Sequence, residues 1–138
     1  MGKYFKTADG FYKVMVPFFE KLINDTEVGD KLSAFKHTFQ LLITQPDAKI
    51  VLDCRNSEKK VVCGETDLEG DIQLKMRSDS AHRLLLGKMI LRDASMAREI
   101  IARGPLDELK ELSSIFLAAS KFYKHHLMQM GYKAHIKN

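Results

Sequence analysis

The sequence carries only two cysteines, Cys54 and Cys63, in 138 residues. Two are too few for a disulfide scaffold, and they lack a metal-ligand spacing. Long hydrophobic runs are missing as well. The longest, Val14 to Phe19, is far short of the roughly 20 residues a membrane-spanning helix needs. No basic-then-apolar leader with a small-residue cleavage site is present, so the expected location is cytoplasmic. In that compartment the sequon Asn24-Asp25-Thr26 is without consequence. The opening Met1-Gly2 has Lys6 where a myristoylation site wants Ser or Thr. There is no repeat period, no His-Glu-x-x-His, no phosphate loop, no dinucleotide glycine pattern and no nucleophile elbow. The expectation is therefore a protein that is not an enzyme and takes no cofactor or metal. Asp79 and His82 lie three apart and read as a capping carboxylate beside a solvated imidazole. His125 and His126 are adjacent, so on a helix they point about 100° apart and do not share a metal easily. A basic patch interleaved with aromatics is also lacking, which argues against nucleic acid.

Acidic residues stop at Glu111. Beyond it stand Lys121, Lys124, Lys133 and Lys137, with three histidines, so the body is neutral and the tail carries the whole net charge of +4. Such a tail suits either an anionic membrane surface or simply the negative end of a helix dipole.

The composition is otherwise that of a soluble globular domain: 45% hydrophobic and 29% charged. The length gives one domain spanning residues 1–138. The first 35 residues read as helical, with Asp9-Gly10 or Pro17 as openings and Thr26 as the cap of a second short helix. From His37 the period changes to two. Phe39, Leu41 and Ile43 alternate with Thr38, Gln40 and Thr44, Ile50, Leu52 and Cys54 with Val51, Asp53 and Arg55, and Ile72, Leu74 and Met76 with Gln73, Lys75 and Arg77. With Lys60 to Gly64 these make four strands of an antiparallel meander, one face dry and one wet. Ser78-Asp79-Ser80 opens a helix that Gly87 closes, and Glu99 to Arg103 is a fifth strand. After Gly104-Pro105, the spacing of Leu109, Leu112, Phe116, Ala119, Tyr123 and Met130 marks a helix reaching about Gly131. The order predicts an α+β fold with helices packed over one face of a mostly antiparallel five-stranded sheet.

The stretch Leu84-Leu85-Leu86-Gly87-Lys88, then Ala94, then Glu99 to Arg103 with Gly104, then Leu106, Leu109 and Leu112 resembles the sterol carrier protein family, in its type-two sterol-binding domain. The resemblance covers roughly residues 17–118, leaving 119–138 as a basic C-terminal helical extension. The family often has a glycine before its last strand, where this chain has Arg98. The resemblance implies a sheet and helices enclosing an apolar tunnel for sterols, fatty acids or acyl chains. It implies binding and transfer, with no catalysis and no catalytic residues.

The expected lipid-binding wall combines the dry sheet face (Phe39, Leu41, Ile43, Ile50, Leu52, Leu74, Met76 and Ile100) with Leu85, Met89, Met96 and Phe116 from the helices. The methionines either fill core gaps or adapt to a ligand. Aromatic pairs at Tyr4-Phe5, Phe11-Tyr12 and Phe18-Phe19 recur every seven residues, which returns a helix to nearly the same face. They make core contacts, line a tunnel, meet a membrane interface or seam a homodimer. The alternative function is thus a non-catalytic interaction or regulatory module, dimerising through its aromatic N-terminal or its C-terminal helix. If Glu58-Lys59 is a hairpin tip, Cys54 and Cys63 face each other with Cβ atoms about 5 Å apart, most simply as reduced thiols.

Overall fold

The computed structural model describes residues 3–56, 58–64, 70–132 and 135–136. The first helix, α1 (Ala8–Ile23), buries Phe11, Val14, Met15, Phe18, Phe19 and Leu22. These positions recur at the three- and four-residue spacing of one helical face. The Thr7 hydroxyl caps it, accepting from the Gly10 N–H at 3.0 Å. Asp9 and Gly10 therefore lie in the first turn, where the helix does open, whereas Pro17 lies inside one continuous helix and opens none. Pro17 has no N–H to offer the Lys13 carbonyl. The buried stripe on both sides of it outweighs that loss, and His126 Nε2–H donates to the next carbonyl, Val14, at 2.8 Å. The aromatic pairs divide accordingly. Phe11, Phe18 and Phe19 are core residues, while Phe5 precedes the helix and packs edge-on against Phe11.

Helix α2 (Val28–Phe35) takes its cap from Asp25 and not from Thr26. Asp25 Oδ2 accepts from the N–H groups of Glu27 and Val28 at 2.9 and 2.8 Å. Four strands follow, β1 (Thr38–Thr44), β2 (Ala48–Asp53), β3 (Lys60–Cys63) and β4 (Ile72–Arg77). Helices α3 (Ser78–Leu85) and α4 (Leu91–Met96), the strand β5 (Ile100–Arg103) and the long helix α5 (Leu106–Gln129) complete the chain.

The sheet order is β3-β2-β1-β4-β5. Three pairings are antiparallel, but β4 runs parallel to β1, with Leu41 opposite Leu74. The four-strand meander thus stops at β3. The β2–β3 hairpin serves as the crossover that a parallel pair requires. Its final connection, expected from Asp67 to Gly70, lies mostly outside the described residues. Alternation fixes which face a strand buries and leaves its partner open, so β4 satisfies the same pattern beside β1 as beside β3. Three cross-strand rows result: Leu52-Phe39-Ile72, Ile50-Leu41-Leu74-Ala102 and Ala48-Ile43-Met76-Ile100.

The opposite sheet face is less wet than expected. Thr38, Gln40, Val51 and Asp53 are buried there, and Gln40 Oε1 accepts from the Gly70 N–H at 2.8 Å. The hairpin register also separates the cysteines. Cys63 pairs with Ile50, so Cys54 is not its neighbour. Cys54 is buried, Cys63 is exposed, and both are free thiols. Burial pushes the Cys54 thiol up to about 11.

The turn before β5 holds Arg98 at φ 61°. A side chain pays for this left-handed conformation, which a glycine adopts freely. Two backbone bonds fix it, Arg98 N–H to the Ser95 carbonyl at 3.1 Å and Glu99 N–H to the Ala94 carbonyl at 2.9 Å.

Helix α1 packs on β2 and β3, α3 on β4, and α4 on β5, while α5 leans on α1, α2 and α3. Residues 119–129 are the second half of α5, with Ala119, Tyr123, His126 and Leu127 buried. Among the described residues, no helix is long and apolar enough to cross a membrane.

Candidate functional site

Eleven of the twelve expected wall residues, all but Met96, belong to the hydrophobic core. Phe39 meets Phe116 edge-on, ring centroids 5.9 Å apart. Met76 and Ile100 share one cross-strand row, and Leu41, Ile50 and Leu74 another. Met96 stands apart from them. It is 79% exposed and lines a groove of about 460 Å³ between α4, β5 and the first two turns of α5.

The groove follows from how the helices are seated. Helix α4 rests on the edge strand and α5 on the other helices. Between them is a space that no side chain fills. Its α4 wall is Ile90, Leu91, Arg92, Ser95 and Met96, its floor is Ala102, and its α5 wall is Leu106, Leu109, Lys110 and Ser113. Ala102 ends the row that runs through Leu74 and Leu41, so the floor is continuous with the dry face. Ile90 and Leu106 are 47% and 66% exposed on the rim. Large apolar side chains gather at one open groove, which makes it the candidate site. The volume lies within the usual range for small-molecule sites, about 300–1,000 Å³.

Of these residues, only Met96 was in the expected wall. The others left a readable trace: Leu106, Leu109, Lys110 and Ser113 follow the spacing of one helical face. What that face meets depends on where α4 sits.

Two of the histidines, His82 and His126, are buried and hydrogen-bonded. His82 is fully buried and not solvated. Its Nε2–H donates to the His135 carbonyl at 2.8 Å, which leaves Nδ1 to accept from the Tyr123 hydroxyl at 2.7 Å. Burial pulls the His82 pKa down to about 4, partly opposed by the bond to His135. A single imidazole gives no polarity signal, yet its three-residue spacing to Leu85 sets it on the inward face. Asp79 caps no helix of its own. It accepts from the N–H groups of Lys3, at 2.9 Å, and of Tyr4, at 3.3 Å. His126 is also buried, and burial lowers its pKa; Lys21 Nζ lies 3.3 Å from its Nδ1. Among the described residues, no three His, Cys, Asp or Glu side chains gather as a metal site. Of the tail lysines, Lys121 meets Glu27 at 3.3 Å, while Lys133 and Lys137 lie outside the described residues.

The model of the SCP-2 sterol transfer family matches residues 19–117, well over half of the chain. The chain belongs to this family. Solved structures of SCP-2 proteins share the fold at low identity. Sterol carrier protein 2 from Yarrowia lipolytica, in its apo form, is 15% identical, with a TM-score of 0.63 over 87% of this chain and 96% of that one. Sterol carrier protein domain 2 of Helicoverpa armigera is 17% identical, with a TM-score of 0.68 over 88% and 93%. Sterol carrier protein-2 from Aedes aegypti, solved in complex with palmitate, is 18% identical, with a TM-score of 0.51 over 67% and 94%. No match was found among curated protein sequences.

Proposed function

We propose that this protein binds an elongated apolar molecule (a fatty acid, a sterol or another acyl chain) and carries it without chemical change. The observation that carries the reading is the open apolar groove between α4, β5 and α5 in a chain of the SCP-2 family. The Aedes aegypti relative solved with palmitate supports it. In this reading the groove is the outer part of the site. The sheet residues beneath it (Leu74, Ile100 and their rows) with Met89 and Phe116 form the wall that the inner part of the ligand meets. Carriage takes place in the cytoplasm, with transient contact to an anionic membrane through the basic C-terminal residues.

The energetics need no polar contact. A sixteen-carbon chain offers on the order of 12 kcal/mol when fully buried. Association takes back about 4 kcal/mol or more. What remains corresponds to a dissociation constant near 1 μM.

The test is titration of a fluorescent sixteen-carbon fatty acid into delipidated protein, with Ser113→Trp as the blocking variant. The expected result is saturable uptake of one molecule at micromolar concentration, lost when the indole fills the groove while the far-UV spectrum is unchanged. Absence of uptake by the unmodified protein overturns the reading.

A further inference from the structure

The charged residues of the two groove-forming helical segments are sorted by sign. Segments 91–96 and 106–113 hold two cations, Arg92 and Lys110, and four acids, Asp93, Asp107, Glu108 and Glu111. Both cations line the groove, one from each facing wall, and none of the acids does. Periodicity accounts for the α5 wall. Lys110 is four residues past Leu106 and three before Ser113, on the apolar face, whereas Asp107, Glu108 and Glu111 fall off it. Glu108 turns instead toward His37, at 3.7 Å. Arg92 Nε lies 3.6 Å from Asp93 Oδ1 in an exposed pair, weak enough for an incoming anion to displace. Ser95 and Ser113, each three residues further along its helix than the cation, line the same groove and add hydroxyl donors.

An apolar trough with a cation on each wall, and acids kept off both, is matched to an amphiphile with an anionic head. We propose that Arg92 and Lys110 select such a ligand, an acyl chain ending in a carboxylate or comparable anion, over a neutral lipid of the same length. The proposal rests on the lipid-binding reading above and adds its specificity. The chain is taken by the apolar walls, and the head stays at the rim between guanidinium and ammonium, where water still reaches it. Because both cations are exposed, each contributes modestly and the preference is screened by salt.

The experiment measures palmitate and 1-hexadecanol as competitors of one fluorescent probe, on the unmodified protein and on the double variant Arg92→Gln with Lys110→Gln. The unmodified protein is expected to favour palmitate by roughly tenfold at low ionic strength, with the ratio shrinking in half-molar salt. In the double variant the ratio falls to about one. Equal affinity for the two competitors on the unmodified protein, or a palmitate preference that survives in the double variant, overturns the proposal and leaves lipid binding standing. If neither competitor displaces the probe and the probe itself does not bind, the lipid-binding reading fails, and the specificity fails with it.

Discussion

Acidification should unfold this protein through His82. Burial holds its imidazole at about 4, whereas an imidazole of the unfolded chain titrates near 6.5. Between those values the unfolded chain binds a proton that the folded chain refuses, so stability rises with pH across the interval. The contribution is complete above about 6.5 and is lost as pH falls toward 4. The whole difference is worth about 3 kcal/mol, and roughly 2.5 kcal/mol of it disappears between pH 7 and pH 4.5. That is a large share of the 5–15 kcal/mol typical of a domain. The geometry explains the cost. Nδ1 already accepts from Tyr123, so a proton there makes the hydroxyl turn and accept instead, which strands its own hydrogen, and the full burial of the ring leaves the new charge without water. Urea unfolding followed by circular dichroism at several pH values measures the slope. His82→Phe is less stable at neutral pH, because the Tyr123 hydroxyl and the His135 carbonyl lose their partner, but its stability should fall less steeply. His126 titrates in the same direction and remains in the variant, so a residual slope is expected. Equal losses in variant and unmodified protein between pH 7 and pH 4.5 would refute the reasoning.

Other expectations follow from the packing. Leu74→Ala, in the central row of the sheet, should cost about 2–5 kcal/mol in urea unfolding, whereas Met96→Ala at the exposed rim should stay within about 0.5 kcal/mol; comparable losses would mean the groove is closed in solution. Arg98→Gly relieves a left-handed side-chain residue at φ 61° and should raise stability by up to about 1 kcal/mol, a gain that a lowered melting temperature would contradict. A thiol reagent should modify Cys63 at once and Cys54 only on unfolding, with no native disulfide on oxidation, as mass spectrometry would report. Gly70→Ala would set a methyl 2.7 Å from the Ile72 carbonyl and 2.8 Å from the Gln40 nitrogen, costing roughly 1–3 kcal/mol, and unchanged stability would show that this connection yields.

Much of this architecture was written in local patterns. The change from helical period to alternation at His37, the five strands and the face of α5 were all readable, because each depends on neighbours within a few residues. What failed depended on distant ones. The parallel placement of β4 beside β1 leaves the Ile72-Leu74-Met76 alternation unchanged, so nothing in that segment announces its partner. Pro17 looked like a helix start because its local cost is plain, whereas the His126 bond to the neighbouring carbonyl comes from 112 positions away. The cysteine pairing rested on a guessed hairpin tip, and an error there propagates to every pair in the ladder. The groove was the least legible part. It is a space between α4 and α5, and only the angle at which two separately readable helices are seated decides whether that space exists.

The two extremities of the described chain converge on α3 and the turn after it. Asp79 holds the amides of Lys3 and Tyr4, His82 holds the carbonyl of His135, and Lys88 reaches that of Ile136 at 2.8 Å. The first and last described residues are thus fastened to one short clasp. A peptide linker of modest length would join them, so a circularly permuted version reopened elsewhere, in the exposed β2–β3 hairpin for example, has its new junction already in place. By the same token, an affinity tag fused at either extremity tugs on the clasp that secures the other.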